Sequence, residues 1–255
     1  MRRALLRYTA AIGAAGLLAC ASAYALQTSI EGVTVSVTAN VFPRALPAKG
    51  NAPVKVVSVT RIKSTNGSAP PALSKIEFNF DKHGTVNTRG LPVCTPAKLE
   101  GTTAQRARKR CAGAIVGEGT GKAEVRLPGQ APMQISSPLT LFNAPPQRGR
   151  PSLIAHAYET VPVPKALLVP IAIEHISNGR YGYRIEIELP EIAGGYGVAT
   201  LAKTTVGKTW KHGGKQVGYV NAHCAGGRLQ VYGRLSFDDG GLLPGTLTSP
   251  CHEPG

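Results

Sequence analysis

The chain has 255 residues, with 29 Lys and Arg against 14 Asp and Glu, for a formal charge of +15. Beyond the first residues nothing is long and apolar enough to span a hydrocarbon layer of roughly 30 Å, and neither a low-complexity tract nor an internal repeat is evident, which excludes membrane-spanning helices and repeat arrays. A balance this basic says nothing of fold; it favours contact with anionic polymers or surfaces, with a merely solvated basic surface as the plain alternative.

Arg2, Arg3 and Arg7 precede an uncharged apolar run from Tyr8 to Leu18, and small residues follow up to Ala25. That order predicts a secretory signal peptide over residues 1–25, cleaved after Ala23 or Ala25. The apolar run is too short to cross a bilayer, so no transmembrane anchor is expected. Leu17-Leu18-Ala19-Cys20 offers a rival reading, in which Cys20 becomes the acylated first residue of a lipoprotein. Losing the leader removes three arginines and no acid, lowering the charge from +15 to +12. Residues 26–255 are then expected to form a single domain, secreted or held in the cell envelope.

Prolines and glycines punctuate the remainder at short intervals, with β-branched and aromatic runs between them, as in a protein of many short strands. In chain order these runs are Val33 to Val37, Val54 to Ile62, Ile76 to Phe80, Val125 to Leu127, Leu139 to Phe142, Leu153 to Tyr158, Leu167 to Ile173, Tyr181 to Leu189, Tyr196 to Leu201, Val217 to Val220 and Leu229 to Phe237. The clearest is Tyr181 to Leu189, where Tyr181, Tyr183, Ile185, Ile187 and Leu189 alternate with Gly182, Arg184, Glu186 and Glu188. About a dozen antiparallel strands with one apolar face each must bury those faces, and a second sheet packed on the first does so economically. The expected fold is an all-β antiparallel sandwich, with a closed β-barrel as the alternative.

One stretch reads as helix, over residues 102–110. Thr102 is placed to cap it and Gln105 to reach back in a capping box, with Arg106, Ala107, Arg108, Lys109 and Arg110 continuing it. Cations in the last turn also suit the helix dipole. Outside the leader the cysteines are Cys94, Cys111, Cys224 and Cys251, an even set that predicts disulfides in an oxidising compartment. Neighbouring pairs close the shorter loops, so Cys94 with Cys111 and Cys224 with Cys251 is the expected connectivity. No pair has the close spacing of a structural zinc site.

Gly90-Leu91-Pro92-Val93-Cys94, the short Thr-Thr-led helix leading to Cys111, and Ala114-Ile115-Val116-Gly117 together resemble a group of exported actinobacterial proteins. Leu141-Phe142-Asn143 and the late Cys224 fit the same pattern. The matched pieces cover about a quarter of residues 26–255, and a Cys-helix-Cys-strand unit is only moderately specific. The resemblance implies a secreted β-rich domain with the first disulfide. That group has no established activity, so no site residue carries over.

No nucleophile elbow, phosphate loop, dinucleotide fingerprint, zinc-binding helix or calcium loop is present in the sequence. Glu186 and Glu188 would stand about 7 Å apart on one strand face, within the span of an inverting glycosidase pair, though a solvated face explains them more simply. Asp238 and Asp239 before Gly240 read as a turn, with a calcium contact as the lesser reading. His83, His156, His175, His212, His223 and His252 show no ligand or triad spacing, even where Glu159 follows His156.

Two groups of residues are candidates for binding. Trp210 and Lys211 stand in a cationic loop, where an aromatic platform would suit sugars or bases. Arg106, Arg108, Lys109 and Arg110, with Arg89, Lys98 and the Arg148 and Arg150 loop, would form an anion-binding surface if folding gathers them. Tyr181 and Tyr183 are a weaker pair, since both continue a core face. The expectation is an exported non-catalytic protein whose basic surface binds an anionic polymer, a glycan or a protein partner. Nucleic acid is not favoured and no cofactor or metal is expected. A secreted glycan-active hydrolase with an unfamiliar carboxylate site is the alternative.

Overall fold

The computed structural model describes residues 25–30 and 32–254. Residues 1–24, which carry most of the expected leader and Cys20, lie outside the described residues. The described residues open with strands β1 (Ala25–Ile30), β2 (Val33–Phe42), β3 (Ala52–Ser64), β4 (Leu73–Asp81) and β5 (Gly84–Val86). Two short helices follow, α1 (Pro96–Leu99) and α2 (Ala104–Arg110). Five long strands come next: β6 (Ile115–Val125), β7 (Met133–Gln147), β8 (Arg150–Glu159), β9 (Lys165–Asn178) and β10 (Tyr181–Glu188). The rest is β11 (Gly197–Val206), β12 (Thr209–His212), β13 (Lys215–Gly218), β14 (Val220–Ala222), β15 (Arg228–Phe237) and β16 (Leu242–Pro250).

Every ladder between these strands is antiparallel, and the main path runs β1-β2-β3-β11-β6-β7-β8-β9-β10-β4-β15-β16. The turn between layers occurs within β9. Its residues 165–172 pair with β8, whereas Ile173, Glu174 and His175 pair with β10. The far ends of the path then face each other: Val33, Val35 and Val37 of β2 and Ile62 of β3 pack against Leu235, Phe237, Leu243 and Leu247 of β15 and β16. Burying each such side chain contributes about 1.5–3 kcal/mol. The fold is thus the antiparallel β-sandwich expected, and it does not close into a barrel. A second hydrophobic cluster fills the interior near the β9 turn, where Val116, Leu141, Leu153, Ile171 and Ile173 meet Tyr219.

Both expected disulfides are present, Cys94 to Cys111 and Cys224 to Cys251. Several local expectations need correction. The helix begins one residue later than predicted: Thr103, not Thr102, caps it, its hydroxyl accepting from the Arg106 N–H at 3.4 Å. Thr102 is drawn inward by tertiary contacts instead, so the Gln105 capping box does not form. The one-turn helix α1, started by Pro96, was not expected. Strand β6 lies upstream of the predicted Val125 to Leu127 run and ends at Val125, and the Val217 to Val220 run is divided between β13 and β14.

A bulge at Gly182 separates the two tyrosines. Tyr181 pairs with Asp81 and Tyr183 with Phe80, adjacent residues of β4 that face opposite sides of the sheet. An added Cβ at Gly182 would stand 2.9 Å from the Lys82 Cα, so only glycine allows this close approach. Tyr181 and Tyr183 therefore do not share the face that alternation assigned to them.

Candidate functional site

Strands β7 and β8 carry apolar side chains on both faces, and the outer one is roofed by the helices. Phe142, Ala144 and Ile154 pack there against Leu99, Ala107, Cys111 and Ala114. The Cys94–Cys111 bond fastens the roof at one point, and the Cys94 N–H donates to the Asn143 carbonyl at 2.8 Å. The Asn143 side-chain amide donates to the Pro92 carbonyl at 3.0 Å. With Ala107 turned inward, Arg106, Lys109 and Arg110 point to solvent. Arg108 pairs with Glu118 of β6 at 2.5 Å, and Arg110 donates to the Lys98 carbonyl at 3.4 Å.

The second candidate group lies on the hairpin β12–β13, in which Trp210 faces Val217 and Lys211 faces Gln216. The Trp210 indole is half-buried against the interior cluster, and its N–H donates to the Arg89 carbonyl at 3.3 Å. Its ring is thereby committed to packing, while Lys211 stays exposed. Immediately before the hairpin, the Lys208 ammonium donates to the carbonyl of Gly113, in the turn that follows α2. Burial holds the Lys208 amine below the usual lysine range. The His212 ring lies directly over Gly90. The structure thus sets the basic helix, the Arg89 turn and the cationic hairpin side by side. Arg150 is drawn off in a different direction, to Glu174 at 3.2 Å.

Glu186 and Glu188 are exposed and share Lys75, at 3.2 and 3.3 Å. The Asp238 carboxylate accepts from the Ala72 N–H at 3.0 Å, tying the β15–β16 connection to the residue before β4, and that of Asp239 accepts from the Gly241 N–H at 2.9 Å within the connection. Asp81, only 4% exposed, holds Arg180 Nε at 2.8 Å, the His83 N–H at 3.1 Å and the Gln230 N–H at 3.0 Å. The His83 ring lies 2.8 Å from the same carboxylate and edge-on to the His223 ring. Among the described residues, no three His, Cys, Asp or Glu side chains are grouped so as to hold a metal ion.

Three features had no counterpart in the sequence reading. The first is the buried contact of Thr102 with His156 under the helical roof. The second is Glu159, which faces the opposite side of β8 from His156 and accepts the Ala193 N–H at 2.9 Å. The third is an apolar cavity of about 170 Å³ on that inner side. Its sequence signal is the run of small residues at inward positions, such as Ala155 and Ala157. No family model, curated protein or solved structure matches this chain. Among the described residues no helix is long and apolar enough to cross a membrane.

Proposed function

We propose that this is an exported, non-catalytic binding protein of the envelope or extracellular space, whose basic face docks on an anionic polymer. The observation that carries the reading is the Lys208 contact with Gly113, which joins the hairpin to the end of α2. That contact supports reading Arg106, Lys109 and Arg110 on the helix and Lys211 on the hairpin as parts of one surface. Glu118, an acid close to it, is already neutralised by Arg108. A residual charge of +12 after loss of the leader adds a long-range attraction to the same class of partner.

Stacking of sugars on Trp210 is less favoured, because its ring packs on the interior and its N–H is engaged. The hydrolase alternative has less support still, since the acids of the best strand share a lysine on an exposed face.

Titrating the disulfide-bonded protein with polyphosphate, as a defined polyanion, at several salt concentrations tests the proposal. Affinity is expected to fall steeply with salt, because exposed charges are screened within about 10 Å at 0.1 M. Changing Arg106, Lys109, Arg110 and Lys211 together to Gln is expected to weaken binding by about tenfold or more and to flatten the salt dependence. Absence of binding at low salt, or binding indifferent to these four changes, overturns the reading.

A further inference from the structure

The cavity lies at one end of the five neighbouring strands β11, β6, β7, β8 and β9. Space exists there because small residues stand where a core normally takes Leu or Ile. Ala123 is flanked in register by Ile135 and Ala199, and the inward positions of β8 are Ala155 and Ala157, opposite Val169 and Leu167. Leu139 and Leu201 complete the walls, and the segment from Leu189 to Ile192 crosses over them. Ile135, Leu139, Ala155, Ala157, Leu167 and Val169 stay only half-buried although they point inward, because no side chain from the facing layer fills the space.

Two polar groups at the cavity are engaged within the protein. The Glu159 carboxylate is 6% exposed and accepts the Ala193 N–H, which holds Ala193 at φ 52° and anchors the crossing segment. The Ser137 hydroxyl accepts the Tyr158 N–H at 2.9 Å and donates to the Pro138 carbonyl. An occupant therefore finds hydrocarbon walls and few vacant hydrogen-bonding positions. A dry apolar cavity of about 150 Å³ lined by larger aliphatic and aromatic side chains takes up a benzene-sized guest. The volume here, about 170 Å³, suits a guest of similar bulk.

This cavity opens to solvent. The turns at that end expose Val163 (63%) and Tyr196 (49%). We infer that the cavity binds the alkyl chain of a single-chain amphiphile, leaving its polar head in water at the opening. This site is separate from the basic face and does not depend on it.

Calorimetric titration with straight-chain alkanoates of about four to twelve carbons tests the inference. Affinity is expected to rise roughly fourfold per added methylene and to level off once the cavity is filled. Ala157→Leu, which fills the space, is expected to weaken decanoate binding by about tenfold or more. Ala157→Val serves should the larger side chain unfold the protein, with the circular dichroism spectrum reporting the fold. Nuclear Overhauser contacts from decanoate to the Ala155 and Ala157 methyls are expected in the unaltered protein. Affinity independent of chain length, decanoate binding unchanged in a folded Ala157 variant, or uptake of benzene with none of alkanoate each overturns it.

Discussion

The Thr102 carbonyl and hydroxyl both lie against Nε2 of His156, at 3.1 and 3.3 Å, tying the loop before α2 to the outer face of β8. Both residues are buried. Because a carbonyl only accepts, the proton sits on Nε2; the Thr102 hydroxyl spends its own on the Leu99 carbonyl at 2.6 Å. Desolvation lowers the His156 pKa from its usual value, so the folded state favours the neutral ring. An unfolded chain takes up the proton near pH 6.5, before the folded one does. Stability from this residue is thus complete above that pH and is lost as pH falls towards the depressed folded value, by up to about 1.4 kcal/mol per pH unit. Urea midpoints between about pH 5 and 8, compared with those of His156→Gln, are expected to converge at the acid end. A constant difference contradicts this account.

Asp81 gathers Arg180, His83 and Gln230 at a nearly dry site. Removing the carboxylate leaves two backbone N–H groups and a guanidinium short of an acceptor. Asp81→Ala is expected to lose about 3 kcal/mol in denaturant unfolding, and Asp81→Asn less, since it keeps the shape and one acceptor. Equal effects of the two changes would show that packing, not hydrogen bonding, holds this corner.

Gly119 of β6 lies so close to β11 that an added Cβ would stand 2.0 Å from the Lys203 carbonyl oxygen and 3.0 Å from the Thr204 Cα. Backbone cannot move aside cheaply. Gly119→Ala is expected to lower stability by about 3 kcal/mol in thermal or urea unfolding. A loss near zero would mean that β6 and β11 are further apart than described.

Opening Cys94–Cys111, 17 residues apart, removes about 3 kcal/mol of chain-entropy stabilisation, and opening Cys224–Cys251, 27 apart, about 3.5 kcal/mol. Only the first lies under the basic helix. Replacing Cys94 and Cys111 by Ala is therefore expected to weaken polyphosphate binding as well as stability, whereas replacing Cys224 and Cys251 lowers stability alone. Parallel melting and binding measurements on the two double variants separate these effects.

What could be read from the sequence follows from what lies on each side of a strand. Ile185 and Ile187 face a covered interior while Glu186 and Glu188 face water, so strict alternation was visible there. Strand β6 escaped notice for the opposite reason: its inward positions Gly117, Gly119, Gly121 and Ala123 are too small to register as a hydrophobic face. The cap was misplaced because Thr102 and Thr103 are equally suited locally, and burial against His156 decides between them. A basic helix was legible in Arg106 to Arg110, but its neighbour Lys208 was not, since their contact depends on where the β12 hairpin is carried. Cavities are least legible of all, because an alanine writes the same letter whether its neighbours close over it or leave room.

Strand β16 lies against β1 and β2 across the interior, so residues more than two hundred positions apart seal the same cluster. Assembly is consequently postponed until Leu243 and Leu247 arrive to complete it. A polypeptide delivered head first, from a ribosome or through a pore, travels pliable over most of its length and gains rigidity only at the finish. During that interval the waiting valines of β2 are exposed to other chains, which makes the pace of delivery a determinant of how much protein escapes aggregation.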